Sequence, residues 1–536
     1  MLEAEFTRVA TIDRLLRSQA YDALEQLTQE QMPLQLLGEE ALNAARLMNL
    51  PATVIYLASL AVENRRNLRQ AQVWLAIYQS LARSAPSPEF MAISPKNPLR
   101  QVASALLQAG ELDPAALKKC ANAMDDWFHA VELAIDHKAF GLVDQIVREL
   151  VRRKTDVADW LRLTKLLFNR QSFIGQAQNI EPLGRAYARI RDHLISPLPA
   201  VRKVRSRLAL FASLCHFVSG HYPAAVLAAK GATAPDDLIH AAFDTARAHC
   251  HAGQLPESIA SLDELVALMC AADTAASLNE DIHATQDAVA EAEQQQRVFD
   301  PGQASQALVD LQAALSAVGK RAFLVSGTLL GYAREGQILA HDKDIDVGIV
   351  GWEDQFEVAN ALLQSGHFGI DARRLRGRKA YHIPVVHLTT RVAIDIFIYH
   401  PENGMWVTGV ESYFGYLQKF AFTPFELKAV SFLGIDFYVP DDVEKKLAEN
   451  FGDWRVSDPE YISHLQSPST VDVGGLVYQI VGRLRALEAI RAQKYEKLSR
   501  VIQLMERHQD RPGGMRADTL DLLRGVLDAH QPAEVA

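Results

Sequence analysis

The chain has 536 residues, of which 49% are hydrophobic and 22% charged, and a formal net charge of −10. It is too long for one hydrophobic core and too apolar for wholesale disorder, so two or three folded units are expected. The mild acidity argues against a general polyanion binder, and no nucleic-acid partner is expected.

Four cysteines, Cys120, Cys215, Cys250 and Cys270, lie far apart without a CxxC pair or zinc-type histidine spacing, and read as reduced, buried fillers. The opening MLEAEFTRVATIDRLLRS lacks a basic start followed by an apolar core. Nowhere do about eighteen uncharged apolar residues run together. A cytoplasmic protein is expected, with at most peripheral membrane association.

From residue 1 to about 290 the chain is a succession of Ala- and Leu-rich segments of helical period, such as AVELAIDHKAFGLVDQIVREL, broken by short turns. Gly220 and Gly253 are 33 residues apart, as are Pro223 and Pro256, one short of the tetratricopeptide (TPR) period. A TPR-like, all-helical array is expected over 1–290, with an irregular helical bundle as the alternative. Repeats of this kind build broad concave surfaces, which suits holding a large substrate, a protein partner or a second copy. No acid–base or metal cluster is legible there, so no chemistry is expected from it.

The stretch AADTAASLNEDIHATQDAVAEAEQQQRVFD reads as an exposed connecting helix ended by Pro301-Gly302. Beyond it, runs such as RAFLVSG, DIDVGIV, YHIPVVHLTT, RVAIDIFIYH and VSFLGIDFYVP alternate with helical WEDQFEVANALLQSG, predicting a mixed αβ domain over 303–473. A helical extension, 474–536, follows. Its VYQIVGRLRALEAIRAQKYEKLSRVIQLMERH reads as one amphipathic helix before Pro512-Gly513-Gly514 and a last short helix.

Chemistry concentrates in FLVSGTLLGYAREGQILAHDKDIDVGIV. On a strand, Asp342, Asp344 and Asp346 share one face while Ile345 and Val347 take the other. Carboxylates about 7 Å apart on one face repel unless a cation such as Mg2+ or Mn2+ relieves them. The alternative is an edge strand kept acidic against aggregation. Ahead of it, an apolar strand runs into Ser326-Gly327-Thr328 and a helix, where backbone N–H groups and hydroxyls form a candidate anion cradle. Asp395, set among isoleucines in RVAIDIFIYH, is the expected third acid from a neighbouring strand.

SGTLLGYAREGQILAHDKDIDVGI, VAIDIF and LAENFGDWRVSDPEY, in that order, resemble the LicD/fukutin family of nucleotidyltransferase-fold phosphotransferases over residues 303 to 470. The resemblance implies a polymerase-β-like αβ core in which Asp344, Asp346 and Asp395 hold magnesium or manganese. It also implies transfer of a phospho-alcohol, such as ribitol phosphate, glycerol phosphate or phosphocholine, from a CDP-activated donor to a hydroxyl of a cell-surface glycan. A nucleotidylyltransferase using an NTP and a catalytically inactive scaffold are the competing readings. Where the family often has a run of acids, this chain reads His341-Asp342-Lys343, which puts Asp342 in doubt as a ligand. The cysteine zinc site of fukutin-related members is not matched.

Several basic residues are placed around this core as substrate contacts. Arg334, one to two helical turns beyond Thr328, is expected to aim back at the cradle. The run Arg373-Arg374-Leu375-Arg376-Gly377-Arg378-Lys379 is either a clasp for the diphosphate, through Arg376, Arg378 and Lys379, or a solvated hairpin. His382 and His387 must lie on opposite faces of one strand, and His382 is assigned to the substrate side. Trp454 and Arg455 either pack over the nucleotide or cap the core.

Overall fold

The computed structural model describes residues 2–24, 39–48, 50–64, 68–121, 123–168, 179–271, 300–339, 342, 344–350, 355–370 and 379–530. By its contacts the chain divides into two compact units, Met1–Asp244 and Thr245–Ala536.

The described elements of the first unit are all helices. Their core is built on the fully buried rings of Trp74, Trp127, Trp160 and Tyr187. A buried cation sits among them because its charge is met. The Arg46 guanidinium lies 2.7 Å from Glu132, 3.3 Å from Asp136 and 3.8 Å over the Trp74 ring.

The 33-residue spacing corresponds to two helical hairpins. Gly220 and Gly253 take the left-handed turn conformation, at φ +76° and +75°. In the first hairpin the Ser213 hydroxyl donates to the Ala225 carbonyl at 2.9 Å, and in the second the Ser258 hydroxyl donates to the Ala246 carbonyl at 2.9 Å. Shifted by the repeat length, these are the same two positions with the donor exchanged.

In the second unit, helix Leu255–Ala271 packs against helices Leu476–Arg491 and Ala517–His530, which is why the division falls at Asp244 and not near residue 290. Arg483, fully buried, grips Asp263 through two bonds of 2.7 and 3.2 Å. The segment read as a connecting helix, 272–299, lies outside the described residues. The expected single helix of the extension is two, Leu476–Arg491 and Tyr495–Glu506, because Gln493 adopts φ +54° between them.

The strands are β1 (Phe323–Leu324), β2 (Ile345–Val350), β3 (Phe368–Ile370), β4 (His382–His387), β5 (Ala393–Glu402), β6 (Met405–Glu411), β7 (Leu417–Phe422), β8 (Leu427–Phe432) and β9 (Ile435–Pro440). One sheet runs β1-β2-β5-β4-β3, with β6 and β7 continuing from β5, and β8–β9 form a separate hairpin. Among the described strands the β2–β5 pairing alone is parallel and the others are antiparallel. Alternation then sorts the side chains. Ile345, Val347, Ile349, Ile394, Ile396, Ile398, Ile383 and Val385 face helices Pro301–Ser316 and Gln355–Gln364, which supply Leu308, Leu311, Leu315, Val358 and Leu362 to the same core. The other face carries Asp346, Asp395, Phe397, Tyr399 and His382. Gly348 sits opposite Phe323, whose ring would lie 2.4 Å from any Cβ there.

The Arg483–Asp263 pair ties the hairpin helix to the extension. Arg483→Met leaves a buried carboxylate without its main partner and should cost about 3–5 kcal/mol in denaturant unfolding, whereas Asp263→Leu with Arg483→Met should recover most of it. Equal losses in the single and double variants would mean that the pair itself is not the tie.

Candidate active site

Strand β2 begins at the residue after Asp344, and its parallel register with β5 sets Asp346 directly beside Asp395. One oxygen from each of Asp344, Asp346 and Asp395 lies within 4.8 Å of the other two. Two adjacent strands and the bend before one of them thus bring together three acids that the sequence keeps up to 51 residues apart. Among the described residues no lysine or arginine pairs with them; the nearest counter-group is His382, with Nε2 3.2 Å from Asp395 Oδ1. That contact is out of line for a hydrogen bond, and the imidazole, 9% exposed, lies stacked on Phe397 at 5.1 Å between ring centroids.

The electrostatics follow from this crowding. Burial, and then the charges of Asp395 and Asp342, push the Asp344 carboxyl up to about 6. Burial first, then Asp344 and Asp395, hold Asp346 well above the usual carboxylate range. The Gly327 N–H, donating to Asp346 Oδ2 at 2.9 Å, works in the opposite direction.

The expected anion cradle is used differently. Ser326, at φ +45°, starts helix Ser326–Glu335 in a left-handed conformation that a non-glycine residue adopts only under strain. This turn aims the Gly327 N–H at Asp346, where a Cβ would stand 3.2 Å from the carboxylate. The Thr328 hydroxyl, fully buried, accepts the Asp346 N–H at 2.8 Å. Gly327 and Thr328 therefore spend their polar groups fixing Asp346, from its carboxylate and its backbone.

Other assignments move as well. Asp342 brings its carboxylate to the same glycine, 3.5 Å from where a Cβ would be. Strand alternation does not account for this, since β2 begins only at Ile345 and Asp342 lies before it. Arg334 does not aim back at the cradle. It sits in the last turn of its helix, where its guanidinium donates to the carbonyls of Trp454 and Val456. Trp454, 9% exposed, belongs to the core, with Arg455 4.6 Å over its ring. Lys379 bonds Glu402 at 2.8 Å, seven residues along β5 from Asp395, or roughly 23 Å at strand rise. Arg373, Arg374, Arg376 and Arg378 lie outside the described residues.

Sequence reasoning missed Lys446, which reads as a solvated lysine in DDVEKKLAENF. It is buried with its ammonium 3.0 Å over the Phe422 ring and 4.3 Å from that of Tyr399, and burial holds it well below the usual lysine range. The expectation of no cluster in the helical half is also corrected: Glu181, His216 and His221 place donor atoms within 4.8 Å of one another, although Glu181 already holds Arg185.

The three acids fit a divalent cation. They present hard oxygen donors within reach of one ion and, among the described residues, lack a lysine or arginine partner, which suits Mg2+ or Mn2+. With no cation, Asp344 binds its proton more tightly folded than unfolded. Its contribution to stability is therefore present at acid pH and lost as pH rises through about 6. In chelator, melting of the wild type should fall between pH 5 and 7.5 by more than that of Asp344→Asn, which should be the more stable at pH 7.5 by a few degrees. Parallel melting profiles would contradict the crowding.

Comparison with known proteins agrees with this geometry. Residues 319–442 match the family described as LicD/FKTN/FKRP, nucleotidyltransferase domain. The ribitol-5-phosphate transferase FKTN of Homo sapiens is 25% identical over 157 residues, 27% of this chain and 33% of that protein. The Macaca fascicularis protein of the same name is 26% identical over 157 residues, with the same coverage. The uncharacterized protein RP689 of Rickettsia prowazekii (strain Madrid E) is 30% identical over 135 residues, 25% of this chain and 47% of that one. The chain thus spans a third to under half of these relatives' lengths. Among the described residues no helix is long and apolar enough to cross a membrane. The mixed sheet, the strand-to-helix turn at Gly327 and the paired acids of β2 and β5 all lie within the matched segment, and this chain carries, at residues 319–442, a nucleotidyltransferase domain of the LicD/FKTN/FKRP family.

Proposed function

We propose that the protein is a metal-dependent phosphotransferase that moves a phospho-alcohol from a CDP-activated donor to a hydroxyl of a cell-surface glycan, releasing CMP. The observation that carries this reading is the convergence of Asp344, Asp346 and Asp395 inside a domain related to a named ribitol-5-phosphate transferase. Asp344, Asp346 and Asp395 would hold Mg2+ or Mn2+, which when bound supplies charge neutralisation for the donor diphosphate.

The acceptor oxygen bonds to the phosphorus that carries the alcohol. The pyrophosphate bridge breaks, and CMP leaves with the electron pair. Asp395, beside His382, takes the hydroxyl proton or completes the cation site, and the buried anchors at Gly327 and Thr328 hold Asp346 still while charge moves. His382, stacked on Phe397 at the edge of this group, contacts the substrate. Arg376 and Arg378 remain the proposed clasp for the diphosphate. The helical region, read as a TPR-like array, positions the acceptor, a protein partner or a second copy.

A nucleotidylyltransferase would use the same carboxylates, and the products separate the two. With Mg2+ and a panel of CDP-alcohols (ribitol, glycerol and choline types), CMP should accumulate, and Asp344→Asn, Asp346→Asn and Asp395→Asn should each lower its release by several orders of magnitude. Pyrophosphate from an NTP without CMP from any CDP-alcohol would establish the competing chemistry. Near-normal turnover by Asp395→Asn would remove that residue from the site.

A further inference from the structure

On the helix-covered face of the same sheet, away from the three acids, a second group of donor atoms converges. Asp310, His367 and His387 each place one donor atom within 4.8 Å of the other two. We propose that these three residues bind a zinc ion that clamps helix Pro301–Ser316 to the β3–β4 edge of the sheet.

The distances suit zinc. His387 Nε2 is 3.1 Å from Asp310 Oδ2, and His367 Nδ1 is 3.8 Å from the same oxygen. Zinc bonds of about 2.0–2.1 Å in a tetrahedral arrangement set ligand atoms about 3.3–3.5 Å apart, between these two values. The third pair, between the two imidazoles, lies within 4.8 Å and closes further when the ion binds.

Each ligand is held in place by its own element. His387 ends β4 fully buried, and its Nδ1 lies 2.7 Å from Thr390 Oγ1. The Thr390 N–H also donates to Nδ1 at 3.3 Å, so in the metal-free chain Nδ1 accepts and Nε2–H donates to Asp310. An ion at Nε2 displaces that proton, and Nδ1 can then carry one towards the Thr390 hydroxyl. His367 immediately precedes β3, and its carbonyl accepts the Leu388 N–H at 2.7 Å. The two imidazoles stack with centroids 6.0 Å apart and planes 19° apart. Gln306, one helical turn before Asp310, donates to Asp310 Oδ2 at 2.9 Å.

The site is also accessible. His367 is 47% exposed and Asp310 17%, so the cluster can be reached from solvent. Two imidazoles and one carboxylate select zinc over the hard cations expected at the three aspartates. A plain hydrogen bond between His387 and Asp310 would account for those two residues and leave the stacked His367 unexplained. The ligands are 57 and 20 residues apart on three elements, which is why no zinc spacing shows in the sequence.

The test uses the tag-free, full-length chain stripped with chelator, titrated with zinc chloride by calorimetry and melted with and without the metal. One zinc per chain and a rise in melting temperature of several degrees are expected. His367→Ala, at an exposed position that the fold tolerates, should weaken zinc binding by at least roughly tenfold and abolish the rise. Asp310→Asn should do the same, while Asp344→Asn keeps both. No uptake of zinc, or uptake and stabilisation unchanged in His367→Ala, would overturn the proposal. A loss of stability in Asp310→Asn that is the same with and without zinc would reduce the cluster to a hydrogen bond.

Discussion

The constraint on which the site depends is the repulsion between carboxylates that the sheet forces together. Parallel pairing of β2 with β5 puts Asp346 beside Asp395 at one register position, and the turn into β2 adds Asp344. None of the three can leave, because the isoleucines between them are committed to the opposite core. A one-residue slip of either strand would expose Ile345, Val347 and Ile349, or Ile394, Ile396 and Ile398, to the polar side. The burial of the isoleucines thus holds the acids in contact, and burial of the carboxylates, with their mutual repulsion added to it, raises the proton affinity of Asp344 and Asp346.

The surrounding groups serve this arrangement. The left-handed Ser326 turns the helix start so that Gly327 meets the Asp346 carboxylate while Thr328 meets its backbone. Arg334, at the other end of that helix, fastens the Trp454–Val456 turn to it. A helix anchored at both ends is a rigid support for one carboxylate, which is what pre-organised phosphoryl-transfer chemistry requires. Beneath, Tyr399, Phe422 and the buried Lys446 fill the same face of the sheet.

Periodicity of two made much of this legible. It set His382 and His387 on opposite faces and identified RVAIDIFIYH as the strand bearing the third acid. The shared strand face expected for Asp342, Asp344 and Asp346 does not form, since β2 begins only at Ile345. What it could not give is the partner of each polar group. Ser326-Gly327-Thr328 has the composition of an anion cradle, and only the backbone path shows that its donors point at the chain's own aspartate. Arg334 and Lys379 read as substrate cations because a sequence does not reveal the carbonyls or the Glu402 that occupy them. The helical period ran unbroken through VYQIVGRLRALEAIRAQKYEKLSRVIQLMERH, and the left-handed Gln493 that divides it carries no compositional signal. Lys446 escaped the sequence reading because its aromatic surroundings come from β5, β7 and the loop after β7, distant in sequence.

The central claim is that the three aspartates share a divalent cation in place of protons. It is tested most directly by magnesium titration of the full chain near pH 6, in buffers of different ionisation enthalpy. Magnesium is chosen because imidazoles hold it poorly. If the claim holds, binding releases protons from the Asp344–Asp346 pair, and Asp346→Asn loses both the binding and the release. Magnesium that fails to bind, or that binds without proton release and equally well in Asp346→Asn, would contradict it.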